Sequence, residues 1–197
     1  MELMGRVRKH LRDDEQLLWA GAPDPSVWFT AEDVFLIPFS IAWCAFAIFW
    51  ESSVIGGDAP FFFRLWGIPF VALGLYFTVG RFFYKSYRKR HTEYAITTRR
   101  AVVLGPRTFA DLPLRDQPIV IKRSRDERHA SVTFSDASLP GRGTQRRRWG
   151  GRGYVPGPNT GMELMAWNTP QPFAFYDVLA PDPMLRALEQ ARSQPSA

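Results

Sequence analysis

The residues able to do chemistry are few and scattered. His10, His91 and His129 lie far apart, and none has a second His or Cys at metal-ligand spacing, so no zinc-type site is expected. Asp13, Asp14 and Glu15 are consecutive and cannot converge on a substrate as an acid–base carboxylate pair must. Ser131 and Ser135 carry hydroxyls without a Gly-x-Ser-x-Gly elbow, and Gly141-Arg-Gly143 and Gly150-Gly151 lack the strand-to-helix setting of a phosphate-binding loop. Cys44 is the only cysteine and falls in an apolar run, which excludes a disulfide framework and fits a reducing compartment. The expectation is a protein that is not an enzyme and uses no cofactor and no metal.

What remains is charge. The net charge is +6, and 21 of the 25 basic residues are Arg, a side chain that forks onto phosphate better than Lys does; an Arg-rich genome would give the same composition. One cluster is Arg81, Lys85, Arg88, Lys89 and Arg90. At 100° per residue Arg81, Lys85, Arg88 and Lys89 share a helical stripe, with Phe83, Tyr84 and Tyr87 opposite. Such a stripe attracts anionic headgroups, at about 1 kcal/mol per basic residue near the surface, or serves only to set topology. The second cluster lies in 135–161, a Gly- and Pro-rich stretch holding Arg142, Arg146, Arg147, Arg148 and Arg152 against the single acid Asp136. Its composition cannot bury a core, so it is expected to be a mobile loop between the fifth and sixth strands. Arg146, Arg147, Arg148, Trp149 and Arg152, with Tyr154, suit a lipid surface; they also suit single-stranded nucleic acid, in the manner of RGG segments. A solvated loop without a ligand is the simplest expectation, and between the two ligands a loop tethered beside a bilayer favours the lipid surface over nucleic acid.

The elements that position these groups begin with two apolar runs. Val34 to Trp50 carries no charge and as a helix is about 26 Å long, close to the ~30 Å hydrocarbon core of a bilayer. A second run, 61–83, is interrupted only by Arg64 and Arg81 near its ends. Residues 34–83 are therefore expected to be a transmembrane helical hairpin, with spans of about 34–50 and 61–83 and an outer loop over 51–60. Basic residues gather before the first span (Arg6, Arg8, Lys9, Arg12) and after the second, whereas the loop holds Glu51 and Asp58; Arg64 alone departs. Both termini then face the cytoplasm. Gly67, Gly74 and Gly80 are expected to let the helices pack closely. Pro38 and Pro69 sit in identical Ile-Pro-Phe tripeptides, but no ionisable residue marks the centre of either span as a transport path would require. Residues 1–33 form a cytoplasmic lead with no apolar run of signal-peptide length, expected to be retained. Within it Leu17, Leu18 and Trp19 are assigned a packing role before the Ala20-Gly-Ala-Pro-Asp-Pro25 break.

Residues 84–92 form a basic juxtamembrane linker, the second helix running to about His91. From Glu93 the pattern changes to period two. Seven strands are expected, near 93–98, 100–104, 108–112, 118–123, 129–134, 162–167 and 172–176. A closing helix starts at Asp182-Pro183 and turns Met184, Leu185, Leu188 and Ala191 inward. The fold class is an α+β membrane protein: the hairpin, then over 93–194 a bent antiparallel sheet or barrel of seven strands with a C-terminal helix. Arg99 and Arg100 are either a headgroup-binding pair or exposed strand-end charges.

Two stretches resemble the bacterial pleckstrin-homology-like domains. Tyr94, Ile96, Thr97 and Arg100 fit the Tyr-x-Ile-Thr-x-x-Arg pattern of the opening hairpin. Glu15, Trp19, Gly21 and Pro23 fit the lead segment that precedes the membrane hairpin in anchored members. Asp13-Asp14 replaces the usual lead glycine, and 135–161 reads as an insertion. The resemblance implies a non-enzymatic module, in many cases self-assembling, and no defined ligand; taken with the hairpin and the basic clusters, the expectation is a multi-pass protein of the bacterial inner membrane whose partners are anionic lipid, another protein or further copies of itself as a homo-oligomeric scaffold. An RGG-like nucleic-acid binder and a membrane enzyme without a recognisable motif are the alternatives.

Overall fold

In the computed structural model the described residues are 7–8, 10–57, 60–106, 108–115, 117–125, 127–134, 159–162 and 172–193. Two long apolar helices and two antiparallel sheets make an α+β architecture. The described residues of 27–86 and 154–169 form one compact unit; those of 1–26, 87–153 and 170–197 form the other.

In the helical unit, α1 spans Asp33–Gly56 and α2 spans Phe61–Leu75. A π-helical turn, Tyr76–Gly80, follows without a break and leads into α3, Arg81–Arg90. Leu, Ile, Ala and Phe sustain these helices, and Pro38 and Pro69 are accommodated inside them. Both helical runs, Asp33–Gly56 and Phe61–Arg90, are long and apolar enough to cross a membrane. Their outward surface is aromatic and aliphatic, with Phe35, Phe49, Phe61 and Trp66 all exposed. The first helix runs further than expected: Glu51, assigned to the connecting loop, lies inside α1.

The helices meet at small residues. A Cβ on Gly74 would stand 3.0 Å from the Cα of Cys44, and one on Gly67 would collide with the Glu51 carboxyl, while Thr78 Oγ1 donates to the Ser40 carbonyl at 3.2 Å. These three pairs lie on one antiparallel register. Gly80 plays no such part, since it faces Tyr76 of its own turn.

In the sheet unit, β1 (Leu17–Gly21), β2 (Glu93–Thr97), β3 (Arg100–Leu104) and β4 (Phe109–Pro113) form a sheet in that order. A second sheet joins β5 (Val120–Arg123), β6 (His129–Thr133) and β7 (Ala174–Leu179), and α4 spans Asp182–Ser193. Tyr94, Ile96, Val132, Phe134 and Phe175 pack with Met184 and Leu188 of α4. A smaller cluster of Val7, Ala95, Val102 and Leu104 covers the other face of the first sheet, which is why every residue of β2 is buried instead of alternating.

Leu17, Leu18 and Trp19 do pack on the later domain, but as strand β1 paired antiparallel to β2, a role their neighbouring charges concealed. The last strand runs Ala174–Leu179, further than the 172–176 expected. Of the strand expected over 162–167, Met162 is not in a strand and the rest lies outside the described residues, as do 135–158.

Candidate functional site

Every residue of the lead and hairpin motif in the sheet unit has a structural partner. Arg100 is buried at the start of β3, where its Nε and Nη2 donate to Glu15 Oε2 at 3.2 and 3.0 Å. Nη1 reaches Asp111 Oδ2 at 2.6 Å and Nη2 the His10 carbonyl at 2.9 Å. Burial works against the Arg100 charge, but the bonds to Asp111 and Glu15 outweigh it and hold the guanidinium more firmly protonated than usual. Beside it the exposed Arg99 pairs with Asp14 at 2.6 Å. The acidic run of the lead thus meets the Arg pair of the hairpin: Arg99 is an exposed strand-end charge, whereas Arg100 is buried and fits neither of the two readings.

Thr97 Oγ1 accepts from the N–H groups of Arg99 and Arg100 at 3.3 and 3.0 Å, fixing the turn. The Trp19 ring covers Gly21 so closely that a Cβ there would stand 2.3 Å from it. Pro23 bridges to Val178. Tyr94 is buried, stacks on Phe175 at 4.6 Å and accepts the Tyr176 N–H at 3.1 Å; burial raises its phenol pKa. The motif therefore assembles the fold, pinning the lead onto the sheets.

A second polar cluster lies in the same unit. Asp24 Oδ2 lies 2.9 Å from His129 Nε2, and Oδ1 accepts the Ser26 N–H at 2.8 Å. Lys89 Nζ donates to Asp177 Oδ2 at 2.6 Å and to the Asp24 carbonyl at 3.2 Å. Asp177 adopts φ 51° where the pairing of β6 and β7 shifts register, and its N–H donates to Ser131 Oγ at 3.0 Å. Burial raises the Asp24 pKa, but the bonds from Ser26 and the nearby His129 prevail and hold it at about 2. These contacts clamp the Asp24 turn against β7. Among the described residues no group of three His, Cys, Asp or Glu side chains could hold a metal ion.

The helical unit holds the most unusual arrangement. Arg81, the first residue after the π turn, is only 1% exposed. Its Nη1 pairs with Asp33 Oδ1 at the start of α1 and lies 3.4 Å from the Thr160 carbonyl, and its Nε donates to the Phe77 carbonyl at 2.8 Å. Among the described residues Nη2 has no acceptor. Tyr76 OH donates to the Gly161 carbonyl at 2.6 Å, and Gly161 sits at φ +83° with no room for a Cβ against the Arg81 backbone. A cavity of about 620 Å³ opens here, walled by Phe35, Leu36, Phe39 and Ser40 of α1, by Phe77 and Arg81, and by Met162. A smaller one of about 310 Å³ is lined by Trp43, Phe46, Trp50, Trp66 and Phe70, and Glu51 is buried nearby on Gly67.

The residues expected to contact headgroups divide accordingly. The helical stripes form as spaced, but the basic one turns inward: Lys85 is 4% exposed, its Nζ on the Trp28 carbonyl at 3.0 Å, and Lys89 is 5% exposed. Phe83 and Tyr87 are the exposed side of α3. Of the five, Arg90 is exposed and Arg88 half-buried. The loop residues Arg146, Arg147, Arg148, Trp149 and Arg152 lie outside the described residues. The partner missed from the sequence was Asp33, which follows Glu32 at the start of one apolar run and is matched by Arg81 at the same end of an antiparallel second run. No protein family, curated protein or solved structure matches the chain.

Proposed function

We propose that the protein is a non-enzymatic membrane anchor of pleckstrin-homology-like type, which carries its sheet unit at the cytoplasmic face of the bacterial inner membrane and acts there by binding anionic lipid. The observation that carries this reading is the outward surface of α1 and α2. Aromatic and aliphatic side chains cover it over a bilayer's length, which in water would be an apolar patch far beyond what soluble proteins tolerate. Connectivity supports the rest. Only His91 and Thr92 separate α3 from β2, so the sheet unit cannot lie far from the membrane. Basic residues at the termini side of both runs, against Glu51 and Asp58 at the other end, favour cytoplasmic termini. Alkaline carbonate extraction of membranes tests the anchor: the protein stays in the pellet if it spans, and its release into the supernatant would remove the basis of the reading.

A second reading, self-assembly through strand edges, is favoured by β4 and β5. Both end a sheet and leave Phe109 and Ile121 exposed. Crosslinking in intact membranes should then give a discrete homo-oligomer; a strictly monomeric product counts against it.

A further inference from the structure

The stripe of α3 that faces outward is aromatic. Its exposed side chains are Phe83, Tyr87 and Arg90, whereas Arg81, Lys85 and Lys89 are buried. Phe83 belongs to a cluster. Trp28, in the segment that leads into α1, meets it edge to face at 6.2 Å, and beside that pair Phe29 meets Phe82 at 5.6 Å. Trp28, Phe29 and Phe83 are all exposed, so the rings form a surface at the end of the helix pair where the chain enters α1 and leaves the π turn. A second group of exposed rings marks the opposite end: Trp50 of α1, and Phe61, Phe62 and Trp66 in the first turns of α2. From Trp66 to Phe83 the continuous helical run rises about 25 Å, close to the ~30 Å hydrocarbon core of a bilayer. The large side chains exposed between the two groups, Phe39, Ile41, Ile48, Phe70 and Leu75 among them, carry no polar group.

We propose that Trp28, Phe29 and Phe83, backed by Phe82, form an aromatic wedge seated at the boundary between headgroups and acyl chains of the cytoplasmic leaflet, so that rings and not the basic stripe make the membrane contact of this segment. The proposal rests on the membrane reading and adds to it a contact surface and a depth. Three observations carry it. The cluster continues the apolar surface of the helix pair, it lies one hydrocarbon thickness from a matching group of rings, and Trp is the side chain that favours headgroup level, having an apolar body and one N–H. The same depth accounts for where α3 keeps its charges. Arg81 lies on the membrane side of Phe83, where an exposed charge is costly, and it is buried and paired with Asp33. The first basic side chains of α3 to reach the surface, Arg88 in part and Arg90 fully, come after the cluster. Seating the rings depends on apolar area, so the wedge takes neutral and anionic lipid alike.

The test uses the full chain carrying Cys44→Ala, reconstituted into vesicles of phosphatidylcholine with and without phosphatidylglycerol. An environment-sensitive fluorophore is attached to one cysteine at a time, in Phe83→Cys, Trp28→Cys, Leu75→Cys and Arg90→Cys. Its quenching is read with a lipid bearing a nitroxide near the top of the acyl chain, with one bearing it deep in the chain, and with aqueous iodide. Labels at positions 83 and 28, each an independent reading of the wedge, should be quenched most by the shallow nitroxide and equally in both lipid mixtures. The label at 75, midway along the span, should respond most to the deep nitroxide, and the label at 90 to iodide. Iodide quenching at 83 and 28 equal to that at 90 would put the rings in water, and quenching there by none of the three would mean that a protein surface covers them. Either result, or shallow quenching that requires phosphatidylglycerol, overturns the wedge and leaves the anchor standing. Iodide reaching the label at 75 as fully as that at 90 overturns both.

Discussion

At the scale of single residues the sheet unit depends on charges that the chain buries and then satisfies. Removing Arg100 strands Glu15, which is buried, and frees Asp111; Arg100→Ala should cost about 3 kcal/mol, read as a lowered urea midpoint with unchanged slope. Asp24 gives a pH dependence of definite sign. Its folded pKa of about 2 lies below the usual 3.8, so its stabilisation is complete above about pH 4 and is lost as pH falls towards 2. That contribution is about 2 kcal/mol at neutral pH, and Asp24→Asn should flatten the acid limb of a stability curve measured from pH 5 to 2. Little of this was legible in the sequence. The run Asp13-Asp14-Glu15 and the pair Arg99-Arg100 are each conspicuous, but their meeting across some 85 residues depends on β1 joining β2, which local patterning does not reveal.

At the scale of elements, the helices and most strands follow from hydrophobic period, because that period reflects which face is covered. β6 and α4 are read nearly to their bounds for this reason, and β3 and β4, whose burial does not alternate, from short β-rich runs between turn residues. β1 escaped because its five residues are all half-buried, so no alternation marks them, and they follow an acidic stretch in a polar lead. The inward basic stripe of α3 escaped for a different reason. Spacing tells which residues share a face, and only the partners, here Asp33 and the Trp28 carbonyl for Arg81 and Lys85, decide which way that face turns. The glycines give a prediction at this scale. Gly74 meets the backbone of Cys44, which cannot yield, whereas Gly67 meets the flexible Glu51 side chain. Gly74→Val should therefore lower the thermal stability of the detergent-solubilised protein by several degrees, and Gly67→Ala by clearly less, as read by thermal aggregation.

At the scale of the whole molecule, the proposed function turns on whether the apolar helix pair crosses a bilayer with both chain ends on one side. The single cysteine makes this directly measurable. In a Cys44→Ala background, cysteines are placed singly at Asp13, Ser53 and Ser193, positions in the lead, near the end of α1 and in the last turn of α4. Intact cells are treated with a membrane-impermeant maleimide before and after permeabilisation of the inner membrane. A two-span anchor with cytoplasmic ends predicts labelling of the Ser53 position from outside and labelling of the Asp13 and Ser193 positions only after permeabilisation. Labelling of either terminal position in intact cells, or protection of all three until permeabilisation, would contradict it.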